Sequence, residues 1–235
     1  MIPKGEGYMP RLDVDENSVY YNSLTDRIFM QIENDILLGK YQPGESLIET
    51  KLSKELNVSR TPIREALRQL EREGLVQSIP NRGVIVKGVS IQDIEDIYTI
   101  RMMIEGLAAR WAAEKITDKE IEELKEDVDL EEFYTTKNES SQLLKFDSLF
   151  HDILFKASKS RPLMHILSLF HHYIQRARSA SLSTPGRAQR VLEEHKAILK
   201  AIMERDAQKA ERLTNEHIKN ASINFLKHKK EIEEL

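Results

Sequence analysis

The stretch SRTPIREALRQLEREGL, residues 59–75, sets arginine at positions 60, 64, 68 and 72. A spacing of four stacks these guanidinium groups along one side of a helix. Ile63, Ala66, Leu67 and Leu70 mark an adjoining side that can face a core. On their own, with Glu65, Glu71 and Glu73 beside them, the arginines describe a solvated surface as well as a nucleic-acid face. The flanks decide. Ser59 is a suitable N-cap, Pro62 falls in the first turn, where a missing N–H costs little, and Gly74 ends the helix. Asn57 tolerates the left-handed conformation of a helix end, so the preceding helix, from about Glu49 with Ile48, Leu52 and Leu56 in line, can turn into this one within two residues.

Upstream, Leu24, Ile28, Ile32, Ile36 and Leu37 form a helical stripe that stops at Gly39. Downstream, LVQSI and GVIVK flank Pro80, Asn81 and Arg82, which reads as a β-hairpin. Helix, tight turn, helix, hairpin is the order of a winged helix-turn-helix. In that arrangement the second helix of the motif enters the major groove with its N-terminal residues at the base edges. Arg60, Thr61 and Arg64 hold that end, and Arg82 and Gly83 hold the hairpin tip. Arginine grips guanine bidentately or holds phosphate.

YQPGESL, LSKELNVSRTPIREALRQLEREGLV and NRGVIV closely resemble the DNA-binding domain of the GntR family of bacterial transcription regulators, over about residues 23–88. The resemblance implies DNA contacts at Ser59, Arg60, Thr61, Arg64, Arg82 and Gly83.

The chain of 235 residues has room for two domains, and its formal charge of −4 argues against a protein that coats nucleic acid over its whole surface. With no cysteine there are neither disulfides nor thiolate metal sites, which fits a cytoplasmic protein. No apolar run approaches a membrane span. Residues 1–22 have no sustained period and read as a mobile extension; residues 23–88 form the DNA-binding domain. Past Gly88 strand signals stop, and residues 89–235 read as an all-α antiparallel bundle of six helices, about 90–116, 117–136, 139–158, 160–181, 185–204 and 206–231. The expected fold is therefore mainly α.

In the bundle, ionisable residues interrupt apolar stripes. Asp147 and His151 sit four apart among Leu143, Leu144, Phe150 and Leu154; His195 lies among Val191, Leu192, Ile198, Leu199 and Ile202; His217 shares a side with Leu213, Ala221 and Phe225. Each uncompensated polar group would cost about 1–3 kcal/mol, and a lone carboxylate more. If the four converge, one divalent cation compensates all of them. Three imidazoles and a carboxylate suit zinc, nickel, manganese or iron. His165, His171, His172 and His228 lack this setting and read as surface or packing residues, and Glu194 is expected to point away from the apolar face.

Asp147-Ser-Leu-Phe-His151, Glu194-His195-Lys-Ala-Ile198 and His217 resemble the motifs of the metal-binding FCD effector domain found in FadR-type members of the same family. The resemblance spans most of residues 90–228. It implies one metal per subunit, held by Asp147, His151, His195 and His217, facing a cavity for a small organic acid. Arg101 lies within the stripe of Ile94, Ile97, Tyr98, Ile104, Ala108 and Trp111. It either pairs with Glu105 one turn on or meets an effector carboxylate, for which its fork geometry is suited. The expected protein is a homodimeric, effector-controlled transcription regulator that binds operator DNA and is not an enzyme. Metal-activated water is the chemistry an enzyme would need, but no HExxH-like base accompanies the histidines.

Overall fold

Ser23 starts the first helix, α1 (Leu24–Leu37), through a capping box in which its hydroxyl accepts from the Asp26 N–H and the Asp26 carboxylate accepts from the Ser23 N–H. The structure is a computed structural model that describes residues 23–233 except 81, 138 and 139; the extension expected over residues 1–22 lies outside the described residues. A short strand β1 (Ser46–Leu47), α2 (Glu49–Glu55), α3 (Arg60–Arg72), β2 (Val76–Ile79) and β3 (Gly83–Val86) follow. The hairpin is where the sequence placed it. β1 was not foreseen, because two residues carry no readable alternation; it pairs antiparallel with β3, giving the sheet order β1-β3-β2.

Asn57 has φ 52° between α2 and α3, and Gly74 has φ 79° just past α3, so both chain reversals use the left-handed region as expected. Ser59 holds the N-cap position of α3, but its side chain makes no capping hydrogen bond. Ile28, Ile32 and Ile36 of α1 close on Ile63, Ala66, Leu67 and Leu70 of α3, with Leu47, Val76 and Val86 beneath. Burial of each large aliphatic here contributes about 1.5–3 kcal/mol.

Ser90 caps the next helix, α4 (Ile91–Lys115), again with a box, this time to Asp93. Then come α5 (Asp118–Lys137), α6 (Ser140–Ala157), α7 (Arg161–Tyr173), α8 (Gln175–Leu182), α9 (Arg187–Met203) and α10 (Ala207–Glu233). The expected single helix over 160–181 is two. The chain breaks at Ile174, which leaves helical ψ at +13° and is fully buried against Ile94, Ile97, Tyr98 and Phe225. Burial of Ile174 and the polar bonds of Arg178 favour this bend over a straight helix, and a period-3.6 pattern does not reveal it.

Ala108, Ala109, Ala112 and Ala113 line α4 against Phe150, Leu154, Leu192, Ile198 and Ile202, the main core of the bundle. Small residues let the helices approach. Gly106 is the extreme case: a Cβ there would lie 2.2 Å from Asn215 Oδ1, so any larger residue would displace the Asn215 side chain on α10. That approach sets Glu105 and His217 on facing sides of one polar centre.

Candidate functional site

Two sites stand out. At the start of α3, Arg60, Thr61 and Arg64 are exposed, and Arg82 and Gly83 are exposed at the hairpin tip, with Gly83 at φ 77°. Both arginines bond one carboxylate: Arg60 Nη2 and Arg64 Nη2 each lie 2.9 Å from Glu49 Oε2, and Arg64 Nε donates to Glu49 Oε1 at 2.9 Å. The hydrogen bonds from Arg64, then Arg60, hold the Glu49 carboxyl down at about 2. Glu49 thus pre-orders both guanidinium groups on the outer face of α3. Asn81, which the sequence reading put in the hairpin turn, lies outside the described residues.

The second site is buried in the bundle. α6 supplies His151, α9 His195 and α10 His217, and one ring nitrogen from each lies within 4.8 Å of the others. His217 Nε2 is 3.3 Å from His151 Nε2. The opposite ring nitrogens face carboxylates: His151 Nδ1 lies 2.7 Å from Glu105 Oε1, His195 Nδ1 2.8 Å from Glu131 Oε2, and His217 Nδ1 2.7 Å from Glu194 Oε2. For His195 and His217 the hydrogen-bonded carboxylate on Nδ1 favours the tautomer that leaves Nε2 as a lone pair, whereas His151 Nδ1 is close to Glu105 without hydrogen-bond geometry. His195 Nε2 has no hydrogen-bond partner although it is buried. Lone pairs turned toward one point repel unless a cation sits among them. Two imidazoles on a tetrahedral metal at about 2.0–2.1 Å place their nitrogens about 3.4 Å apart, close to the separation of His151 and His217. The residues fit a metal.

Burial pushes His151 down to about 3 against the pull of Glu105, and His217 also lies below the usual histidine range because burial outweighs its bond to Glu194. Both are therefore neutral and ready to ligate near neutral pH. Burial acts on His195 in the same sense, but the Glu131 carboxylate outweighs it and raises the group. Asp147 stands one step off. Its Oδ1 is 3.8 Å from His195 Nε2, while Arg178 donates to its Oδ2. Burial raises the Asp147 carboxyl, yet Arg178, His151 and His195 outweigh that and keep it below the usual range.

Arg101 is paired, as the ion-pair alternative expects: Nε to Glu105 Oε2 at 2.7 Å and Nη2 to Glu105 Oε1 at 3.2 Å. Nη2 also lies 2.7 Å from His171 Nε2. Glu105, His151 and His171 form a second cluster of potential ligands, but the guanidinium already occupies Glu105 and His171, and a second cation there would oppose it. Arg101, Arg178 and Arg187 line a small cavity of about 20 Å³ with His151 and His217.

Two expectations need correction. Glu194 does not point away from the site: besides His217 it holds Arg187 and Asn220, so its carboxylate bridges α9 to α10. His171 is not a surface or packing residue but part of the Arg101–Glu105 network. Glu131 and the buried Asp127 escaped the sequence reading altogether. Their signal was present, since both fall with Leu124, Val128 and Thr135 on the buried stripe of α5. Asp127 has no partner for either oxygen, and burial with Glu131 nearby pushes it up to about 8.

A winged helix-turn-helix carrying exposed arginines, joined to a helical bundle with a buried imidazole cluster, is the build of a DNA-binding regulator with a second, helical domain. Comparison with known proteins agrees. Residues 24–86 match the family "Bacterial regulatory proteins, gntR family" and residues 96–220 match the FCD domain. The chain belongs to the gntR family, with an FCD domain, and is a transcriptional regulator of that type. An uncharacterized HTH-type transcriptional regulator of Bacillus subtilis, YdhC, is 28% identical over 221 residues, 94% of this chain and 96% of the relative. The HTH-type transcriptional repressor RspR of Escherichia coli is 27% identical over 199 residues, 85% and 87% of the two chains. The solved structure of E. coli McbR/YncC shares the fold at TM-score 0.72 and 22% identity, covering 88% of this chain and all (100%) of that one. Among the described residues no helix is long and apolar enough to cross a membrane.

Proposed function

We propose that the protein is a homodimeric regulator that reads a palindromic operator with Ser59, Arg60, Thr61, Arg64, Arg82 and Gly83, and that its operator affinity responds to a small organic acid bound beside a divalent metal. His151, His195 and His217 are the imidazole ligands, and Asp147 supplies the carboxylate when Arg178 releases it. The observation that carries this reading is the convergence of buried imidazoles, with Glu131 and Glu194 bonded to His195 and His217 from behind and Glu105 close behind His151. Zinc, nickel, manganese and iron all accept such a donor set. Arg101, Arg178 and Arg187 on the adjoining cavity favour a carboxylate as the effector group. The cavity is small, so an acid larger than water displaces Arg178 or Arg101 from its present partner on entry. Such a ligand shifts DNA affinity only through different affinities for two domain arrangements.

The test begins with duplexes selected by the protein from a random-sequence pool. Anisotropy titrations on a selected duplex then compare chelator-treated protein, zinc-loaded protein and zinc-loaded protein with a panel of short carboxylic acids. The reading expects an acid that changes affinity at least several-fold only in the metal-loaded protein. Equal affinities under all conditions would reduce the metal to a structural staple.

A further inference from the structure

The last turn of α7 has two polar faces that serve different domains. Inward, His171 Nε2 is 2.7 Å from Arg101 Nη2, and its ring centroid is 4.4 Å from that of His151. Outward, the next two residues reach the DNA-binding domain: His172 Nε2 lies 3.4 Å from Glu33 Oε2 on α1, and the Tyr173 hydroxyl donates to Glu73 Oε2 at 3.2 Å. Glu73 is the C-cap of α3, the helix whose other end presents Arg60 and Arg64. The Tyr173 ring packs against both the DNA-binding domain core and the core around Ile94 and Phe225. Immediately beyond the break at Ile174, Arg178 reaches back to Asp147. One short joint is thus tied to the imidazole site at both of its ends and to the recognition helix at its middle.

These contacts are costly to keep for packing alone. Glu33 is buried, and the second carboxylate, Glu73, which stays exposed, is shifted up by partial desolvation and by Glu33 beside it. A buried His172 Nε2 is left without a hydrogen-bond partner at this junction. An apolar seam would hold two domains together more firmly than such a set. A polar seam with imperfect partners instead gives a contact that can be exchanged for another of similar energy, which a two-state element requires.

We infer that residues 171–178 are the coupling element between the imidazole site and the recognition helix, with His171 and Arg178 responding to what occupies the site and His172 and Tyr173 transmitting the response to Glu33 and Glu73. Occupation that draws Asp147 away from Arg178, or repositions His151 against His171, shifts the joint. Tyr173 then pulls on the C-terminal end of α3 and re-aims its N-terminal arginines. The inference rests on the imidazole cluster being the metal and effector site, as proposed above.

Hydrogen–deuterium exchange of the full chain, with and without zinc, tests it in wild type, in Tyr173→Phe and in His172→Gln/Tyr173→Phe. Both substitutions are conservative, and matched melting curves establish that the variants fold. In wild type, zinc is expected to change exchange in residues 161–178 and also in residues 24–40 and 60–75. In the double variant the change in 161–178 persists, while that in 24–40 and 60–75 falls by more than half, with Tyr173→Phe intermediate. An undiminished response of the DNA-binding domain in the double variant overturns the coupling element. So does a wild type in which zinc binds and alters 161–178 alone. Failure of the underlying site reading looks different: the wild type retains no zinc after dialysis, and no segment responds.

Discussion

Replacing Arg101 by methionine probes the most heavily engaged charge in the bundle. The guanidinium is 2% exposed and Glu105 fully buried, and the two share two hydrogen bonds. Methionine fills much of the same volume, so the loss is electrostatic. Glu105 keeps only His151 Nδ1 at 2.7 Å as a close partner, and His171 Nε2 loses its guanidinium. Removing one member of a buried pair costs about 3–5 kcal/mol. In a chain of this size each kcal/mol shifts melting by roughly 2–4 °C, so metal-free Arg101→Met should melt roughly 6–20 °C below wild type. Arg101→Met/Glu105→Gln removes both charges and should recover more than half of that loss, the signature of a coupled pair in a double-mutant cycle. Circular dichroism melts of the metal-free proteins provide the measurement. A single variant as stable as wild type would refute the reasoning, because Glu105 would then have no dependence on Arg101.

At the DNA face, Arg60→Ala or Arg64→Ala should each weaken binding to a selected duplex by about 1–3 kcal/mol and make it less steep in salt, read by anisotropy at two ionic strengths. Glu49→Gln removes the carboxylate that competes with phosphate for both arginines, so affinity for duplexes of any sequence should rise; an unchanged affinity would mean the pairs are not displaced on binding. Asp127 gives a pH dependence. Its folded-state value of about 8 lies above the unfolded 3.8, so its cost is absent below about pH 4 and grows until pH passes the folded value. Asp127→Asn should therefore stabilise the metal-free protein by about 1–3 kcal/mol near pH 8.5 and have little effect near pH 4. Chemical denaturation at the two pH values checks the sign.

The winged helix-turn-helix was legible because its signals are local: Asn57 and Gly74 at positive φ, the arginine ladder of α3 and the two short apolar runs of the hairpin each announce themselves within a few residues. The three converging histidines were legible as anomalies for a related reason, since a histidine on an apolar stripe is visible in one helix at a time. What holds those histidines was not. Glu105, Glu131 and Glu194 lie 46, 64 and 23 residues from the imidazoles they meet, and nothing within one helix pairs them. Glu194 was misread because a residue adjacent to an inward histidine sits about 100° around the helix, at the margin of the stripe; α10 packs against that margin and makes it interior. The break at Ile174 was hidden because α7 and α8 are both helical with apolar faces, and only tertiary packing requires the bend.

X-ray absorption of the zinc-loaded protein at the metal edge tests the central claim most directly. The account predicts a first shell of imidazole nitrogens and carboxylate oxygen at about 2.0–2.1 Å, with the multiple-scattering pattern of three histidines, reduced by one in His195→Ala. A shell containing no histidine, or one left unchanged by His195→Ala, would contradict it.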